Sequence, residues 1–386
     1  MLISIILVSC AKSQGTLLRI GYDSLETNVN PYLYTTKRQS DFISLTFISL
    51  FPTDRAGDAL YHASGNEGEV SKNDNEVYYS FADLSISSSY EYTIKLRDDL
   101  YSYSGRNIDS FDLMFSIYLL LDPSLSEYVE SFDSSWQKSF QSLPIEGYQE
   151  YLEIVSSTSK SVTKQMKQEA YVSGISENVT NRSVTIKMTR ELTPEELKLL
   201  NIYIVPYTQF SDGTTYSSSA HVYGFTKGDL STIQFANVTL DSTGPYCLKT
   251  YNKDEMKYDK NSAYYLPVKT NKLELIRFRG VKRDEDGYPE SGGDIYFQIY
   301  HGWLDLSVID ATEEQLKELT RYNVNDKLNG NYISFEYIKD HSYQMEDSTL
   351  GIVYSTKRVD SECIKKLYVS EHYSILKEVY KISTYK

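Results

Sequence analysis

Histidine, cysteine, serine and paired carboxylates are the side chains that most often do chemistry, and this sequence contains few useful arrangements of them. Its five histidines are His62, His221, His301, His341 and His372. They show neither HxxxH nor HxH spacing, there is no CxxC pair, and no GxSxG turn marks a nucleophilic serine. A Ser/His/Asp triad stays open, because its members are distant in sequence. Asp98-Asp99 is more typical of a solvated turn than of an acid/base pair. Because none of these catalytic or metal-binding patterns is present, we expect no enzyme, no metal site and no cofactor.

The first cysteine stands in a different setting. Leu2–Val8 is an apolar run that is too short for a membrane span of about 20 residues but fits the apolar part of a secretory signal. The run leads into Leu7-Val8-Ser9-Cys10, which resembles the lipobox of bacterial lipoproteins, where cleavage precedes a cysteine that carries a diacylglycerol. This predicts lipid attachment at Cys10 and residues 1–16 as signal and tether. The alternative is an ordinary secretory signal in which Cys10 is incidental.

Composition limits the class of protein. The chain has 386 residues, enough for two or three domains, and 40% of them are hydrophobic. Its 39 basic and 53 acidic residues give a net charge of −14, which argues against nucleic acid and anionic lipid as partners of a charged face. The three cysteines include Cys247 and Cys363. Whether these two form a disulfide is left open by the sequence, because their separation in space is unknown.

Helix signals appear at three places. The spacing of Phe42, Leu45 and Ile48 predicts a helix over residues 40–51, capped by Ser40 or Asp41. Asp109, with Asp112 three residues later, predicts a capped helix that Pro123 ends. Thr193 before Pro194, with Glu196 at the third helical position, predicts another.

Strand signals alternate irregularly with these helices. The predicted strands, in chain order, are residues 17–22, 78–88, 90–96, 183–189, 202–206, two strands within 242–261, 273–280 and 331–338. A short helix is predicted within residues 311–319. The mixture of hairpins and crossovers indicates a mixed α/β protein rather than a barrel or a bundle.

Five segments, taken in order, resemble one known family. They are Asn30–Tyr32 (NPY), Tyr92–Pro123 (YTIKLRDDLYSYSGRNIDSFDLMFSIYLLLDP), Ser183–Pro194 (SVTIKMTRELTP), Ser242–Tyr265 (beginning STGPY) and Ile299–Leu316 (IYHGWLDLSVIDATEEQL). Their order and spacing are similar to those of the solute-binding proteins of ABC importers, in the dipeptide/oligopeptide/nickel-binding family (extracellular family 5). The resemblance extends over about residues 17–368.

The resemblance implies a fold. It is the α/β, periplasmic-binding-protein-like fold of two lobes, with an extra subdomain in the first. Lobe I would comprise residues 17–50 and 183–270, with the subdomain inserted over 51–182, and lobe II would cover 271–386 and be incomplete. The family's aspartate that pairs with a peptide N-terminus would lie beyond Lys386.

The resemblance also implies a function. The protein would be a lipid-anchored solute-binding component of an ABC importer, on the outer face of the bacterial cytoplasmic membrane or in the periplasm. It would capture peptides in the cleft between the lobes and deliver them to a membrane permease. Nickel and sugar-like cargoes occur in the same family, so the cargo stays open. The alternative is a degenerate or truncated surface lipoprotein with an adhesion, signalling or no transport role.

The same resemblance suggests ligand-binding residues. The loop after the first strand supplies Glu26, Thr27, Asn28 and Asn30, and the subdomain turn supplies Tyr101 and Tyr103. Each has a plainer interpretation: Asn30 as a turn residue, and each tyrosine as a half-buried packing residue.

Overall fold

The structure, a computed structural model, describes most of residues 17–264 and four strands beyond them. Within 17–264 the description omits residues 23–24, 26–27, 54–58, 62–68, 71–76, 79, 234 and 236–240. The predicted sites at Cys10, Glu26 and Thr27, residues 312–319 of the predicted helix and Cys363 lie outside the described residues. Ala311, the first residue of that predicted helix, ends a strand instead.

Strands and helices alternate along the described chain. The strands are β1 (Leu17–Tyr22), β2 (Ile48–Ser49), β3 (Glu69–Val70), β4 (Val77–Tyr78), β5 (Ala82–Ile86), β6 (Glu91–Leu96), β7 (Ile175–Asn178), β8 (Ser183–Lys187), β9 (Tyr203–Ile204), β10 (Tyr246–Tyr251), β11 (Glu255–Lys260), β12 (Lys272–Arg277), β13 (Leu306–Ala311), β14 (Ile333–Ile338) and β15 (Thr349–Ser355). The helices are α1 (Lys37–Thr46), α2 (Ser110–Leu121), α3 (Trp136–Gln141), α4 (Tyr148–Val155), α5 (Lys164–Glu169), α6 (Pro194–Lys198) and α7 (Tyr207–Phe210). The mixed α/β class expected from the sequence is confirmed.

A seven-stranded sheet has the order β10-β11-β12-β1-β13-β15-β14. β1 is parallel to both of its neighbours, and the remaining pairs are antiparallel. Because β1 has a partner on each side and Leu18, Ile20 and Tyr22 are buried, its nearly continuous apolar sequence is the one expected of an interior parallel strand.

This sheet contains strands from both sides of the predicted boundary near residue 271. β11 precedes that boundary and pairs with β12, which follows it. A boundary between two lobes at this position would therefore fall within a hydrogen-bonded sheet. The division into lobes stays a prediction.

A second, antiparallel sheet has the order β5-β6-β8-β7. Its cross-strand pairs include Thr93 and Thr185, whose hydroxyls are 2.8 Å apart, and Ile94 opposite Val184, both buried. The predicted boundary at 182/183 would separate β8 from β6 and β7, its two ladder partners. Because a strand depends on its ladder partners, we place β8 with this four-stranded sheet.

Helix α2 packs against β8 and β9 and lies within the main hydrophobic cluster. Asp109 accepts a hydrogen bond from the Phe111 N–H, and Asp112 accepts one from the Asp109 N–H at 2.9 Å, which makes the predicted capping box. All of its twelve residues except Phe111 are buried. The helix ends before Pro123, as predicted.

Helix α1 begins earlier than the sequence suggested. Its N-cap is Thr36, whose hydroxyl accepts from the Gln39 N–H at 3.1 Å, so the predicted caps Ser40 and Asp41 are wrong. Thr36 and Gln39 form a capping box, which satisfies more of the free N–H groups at the start of the helix than a cap one turn later would. The predicted end of the helix at residue 51 is also wrong, because the chain becomes extended at Phe47 and continues into β2, which pairs with β9. The predicted capping box at Thr193 and Glu196 is confirmed in α6.

Cys247 is a buried free thiol in β10, and burial raises its pKa to about 11. Every helix within the described residues is too short or too polar to cross a membrane.

Candidate functional site

Two of the predicted ligand-binding residues lie on one tight hairpin, residues 101–107. The Ser102 N–H donates to the Arg106 carbonyl at 2.8 Å, and Gly105 supplies the positive φ of 84° that the turn needs. Ser102 is buried, whereas Tyr101 and Tyr103 on either side of it are each 45% exposed. Successive side chains of an extended segment point to opposite sides, so both tyrosines face solvent together.

The hairpin is anchored to the segment that leads into β10. The backbone N–H and the hydroxyl of Ser104 each donate to the Asp241 carboxylate at 2.8 Å, and the Tyr103 N–H donates to the Ser242 carbonyl at 2.8 Å. These bonds join the hairpin, which follows β6 of the four-stranded sheet, to the segment before β10, an edge strand of the seven-stranded sheet.

This anchoring brings Lys249 of β10 against Tyr103. The Lys249 Nζ lies 4.5 Å from the centre of the Tyr103 ring, a cation–π contact worth about 0.5–1 kcal/mol at an exposed site. No carboxylate of the described residues pairs with Lys249. We call Tyr101, Tyr103 and Lys249 the tyrosine–lysine face. It offers flat apolar surface next to a positive charge that can attract a carboxylate.

The base of the hairpin is held by a buried carboxylate. Arg106 Nη1 donates to Asp112 Oδ1 at 2.7 Å, and the Arg106 guanidinium lies over the Tyr207 ring at 5.0 Å. The Tyr207 N–H also donates to Asp112 Oδ1 at 2.8 Å. Burial raises the pKa of Asp112 to about 6, although Arg106 acts to lower it. One carboxylate thus ties the hairpin, α2 and α7 together.

Asn28 and Asn30 lie in a turn after β1, and their amides bond to the backbone. Asn28 donates to the Leu33 carbonyl at 2.9 Å and accepts from the Asn30 N–H at 3.0 Å. Asn30 is only 7% exposed, donates to the Phe235 carbonyl and accepts from the Tyr32 N–H. A ligand would reach the Asn30 amide only by displacing these bonds. The arrangement is that of a turn residue, and the ligand-binding roles of both asparagines stay predictions.

Sequence reasoning named the two tyrosines but missed Lys249 and Asp241. Ser104 and Asp241 are 137 residues apart, and no local pattern marks either partner. No hydrogen bond or ring contact among the described residues joins the tyrosine–lysine face to the asparagine turn. No cluster of histidine, cysteine and carboxylate side chains suited to a metal occurs in the part of the chain that the structure describes.

No profile of a known protein family matches the chain, and no curated protein sequence is detectably similar to it. Solved structures do match. Lactococcal OppA, complexed with an endogenous peptide in the closed conformation, is 15% identical with a TM-score of 0.51; the match covers 83% of this chain and 49% of OppA. A periplasmic oligopeptide-binding protein of Borrelia burgdorferi, OppAIV, is 16% identical with a TM-score of 0.51, covering 83% of this chain and 52% of that one.

The pheromone receptor PrgZ, solved in a study of its peptide binding, is 14% identical with a TM-score of 0.50, and the match covers 84% of this chain and 51% of PrgZ. The chain therefore spans about half the length of these structures. At these identities the likeness concerns the fold alone. These neighbours are solute-binding proteins rather than enzymes, in line with the expectation from the sequence. Over about half the length of OppA and OppAIV, the mixed α/β fold of this chain resembles theirs, as the sequence resemblance predicted.

Proposed function

We propose that this protein is the solute-binding component of an ABC importer and that it captures peptides for delivery to a membrane permease. The observation that carries the proposal is the fold shared with peptide-complexed OppA over 83% of the chain. We further propose attachment to the outer face of the membrane through a lipid on Cys10, and a cleft between two lobes as the place of capture.

The tyrosine–lysine face supplies suitable chemistry for a peptide. Exposed aromatic rings contact main chain and side chains over a large area at low entropic cost, and Lys249 attracts a terminal or side-chain carboxylate. Micromolar affinity corresponds to about −8 kcal/mol. Part of that free energy has to offset closure of the lobes, which becomes favourable only when the ligand contacts both.

Calorimetry tests peptide binding directly. The chain from residue 11 to residue 386 is titrated with defined peptides of two to eight residues, and its melting temperature is followed in parallel. We expect micromolar binding by at least one peptide class. We also expect about tenfold weaker binding by the double variant Tyr101→Ala/Tyr103→Ala, because two exposed contact rings are lost.

The matched control is Tyr171→Ala, which removes a ring that is 50% exposed and lies outside the tyrosine–lysine face. This control should bind as the parent chain does. If no peptide produces heat or a melting shift, the importer proposal fails for this chain, and the surface-lipoprotein alternative is favoured.

Lipid attachment has its own test. The full chain is expressed in a bacterium fed a labelled fatty acid, beside the variant Cys10→Ala. Label and membrane association that depend on Cys10 support the anchor. Equal label in both proteins, or none in either, contradicts it.

A further inference from the structure

An open groove of about 530 Å³ lies beside α7, and neither Tyr101 nor Tyr103 lines it. Its lining comes from the loop over residues 211–218, from α7, from Phe111 at the start of α2 and from Val179 in the turn between β7 and β8. Val179 is 51% exposed although it is apolar. Nothing in the function proposed above uses this groove.

Three aromatic rings in contact line the groove: Phe111, Tyr207 and Tyr216. The Tyr216 ring centre lies 4.4 Å from that of Phe111 and 5.6 Å from that of Tyr207. The Tyr216 hydroxyl donates to Glu177 Oε2 at 2.9 Å. The rings are therefore held in place before any ligand arrives, which lowers the entropic cost of binding.

Hydroxyl groups line the same groove. Those of Thr208, Thr215 and Ser218 bond to no group of the described residues, whereas the Thr214 side chain bonds to Asp212. A hydroxyl both donates and accepts a hydrogen bond, so these groups can pair with the hydroxyls of a ligand in either sense.

The groove wall contains no charge. None of its eleven described lining residues is Asp, Glu, Lys, Arg or His, in a chain of which 24% is charged. Of the nearby charges, Arg106 pairs with Asp112, and Glu177 accepts from Tyr216 through Oε2 while its Oε1 is buried away from solvent. An ionic ligand would lose hydration here without gaining a partner, whereas an uncharged ligand would not.

The hydroxyl-bearing loop is itself fixed by a carboxylate behind it. Asp212 accepts hydrogen bonds from the Thr214 N–H at 2.9 Å and from the N–H and hydroxyl of Thr226 at 2.9 and 2.7 Å. Burial acts to raise the pKa of Asp212, but the bonds from Thr214 and Thr226 together lower it below its ordinary value. The loop therefore presents its hydroxyls in a defined arrangement at neutral pH.

We propose that this groove binds an uncharged saccharide, with a sugar face against the aromatic rings and sugar hydroxyls against Thr208, Thr215 and Ser218. Rings and free hydroxyls in one groove match the two kinds of surface that a neutral sugar presents, one of C–H groups and one of O–H groups. This site is independent of the peptide proposal and uses different residues.

Saturation-transfer NMR with maltose, cellobiose and N,N′-diacetylchitobiose tests the inference on the chain from residue 11 to residue 386. We expect at least one of the three to bind with a dissociation constant below about 10 mM. The double variant Thr208→Val/Thr215→Val should weaken that binding about fivefold or more, because each lost neutral hydrogen bond costs a few-fold in affinity. Both positions are exposed, so the fold should tolerate the change.

Thr189→Val is the matched control, since Thr189 is exposed and lies outside the groove. It should leave the sugar signal unchanged. Absence of transfer to all three sugars, or equal binding by the parent and the Thr208→Val/Thr215→Val variant, overturns the proposal. Peptide calorimetry on the same variant should match the parent, so failure at this groove is separable from failure of the importer function.

Discussion

Ser104 and Asp241 lie 137 residues apart in sequence and share two hydrogen bonds of 2.8 Å, one from the backbone N–H and one from the hydroxyl of Ser104. This pair attaches the hairpin that carries Tyr101 and Tyr103 to the segment entering β10. It thereby sets the distance between Tyr103 and Lys249. The candidate site depends on this attachment as much as on the residues that face solvent.

Replacing Asp241 by alanine should loosen the hairpin. Both bonds are accepted by a carboxylate, which strengthens them, but the pair is partly exposed and solvent screens it. We therefore expect the free energy of unfolding to fall by only about 1–2 kcal/mol. Urea denaturation measures the loss. Asp133→Ala, at an exposed carboxylate with no hydrogen bond among the described residues, is the control and should change stability by less than about 0.5 kcal/mol. Equal effects of the two substitutions would show that the attachment is not stabilising.

The carboxyl of Asp112 should make stability depend on pH. Burial raises its pKa from 3.8 to about 6, so the folded state binds this proton more tightly than the unfolded state does. That contribution is complete below about pH 4 and is lost as the pH rises through about 6. Since one pKa unit corresponds to about 1.4 kcal/mol, the loss amounts to about 3 kcal/mol.

The measurement compares the parent chain with Asp112→Asn by urea denaturation at pH 4 and pH 7. The stability of the parent relative to the variant should decrease on going to pH 7. A relative stability that increases with pH would mean that attraction to Arg106 outweighs burial.

Lys227 has a buried amino group whose pKa burial lowers to about 7, and its removal should be costly. Its Nζ donates to the carbonyls of Gln168, Ala170 and His221 and lies 5.0 and 4.7 Å from the ring centres of Tyr118 and Tyr223. Lys227→Met keeps the apolar stem but leaves those carbonyls without their donor. We expect a loss of about 2–5 kcal/mol in the free energy of unfolding.

Lys160→Met is the control for this substitution, because Lys160 is exposed. It should be close to neutral in the same thermal or urea melt. A stability loss below about 1 kcal/mol for Lys227→Met would show that the apolar replacement compensates for the lost amino group.

Gly244, in the TGPY segment, should not tolerate a side chain. Its N–H donates to the Thr46 carbonyl at 2.7 Å, and a Cβ there would lie 2.7 Å from the Thr46 carbonyl carbon and 2.9 Å from the Phe47 nitrogen. Both are backbone atoms, so Gly244→Ala has to separate β10 from the end of α1. We expect a loss of about 3 kcal/mol.

Gly213→Ala provides the comparison. Gly213 has φ of 89° and nothing within 4 Å of a Cβ, so that substitution should cost only about 1 kcal/mol, through the backbone conformation alone. If thermal melts rank the two variants in the opposite order, the close approach of Gly244 to Thr46 is not a stabilising contact.

The sequence by itself was enough for the elements whose stabilising bonds are local. The capping boxes of α2 and α6 and the strands β1, β6 and β8 follow from residues within one turn or one alternation of each other. Local sequence signals did not identify the start of α1 correctly, because Ser40 and Asp41, one turn after the actual N-cap Thr36, are also good capping residues. Tyr101 and Tyr103 could also be named as ligand-binding candidates from the sequence, because their segment resembles that of a known family.

Only the tertiary structure decided which distant residues meet. Lys249 lies over the ring of Tyr103, and Ser104 bonds to Asp241. The Asn30 amide donates to the Phe235 carbonyl, 205 residues away. Strand β8 pairs with β6 on one side and with β7 on the other. Such contacts depend on how sheets and helices pack against each other. The hydrophobic effect that drives this packing is non-directional, so it does not by itself specify which distant residues meet. Local spacing carries no information about that packing, so neither the tyrosine–lysine face nor the groove could be assembled from sequence.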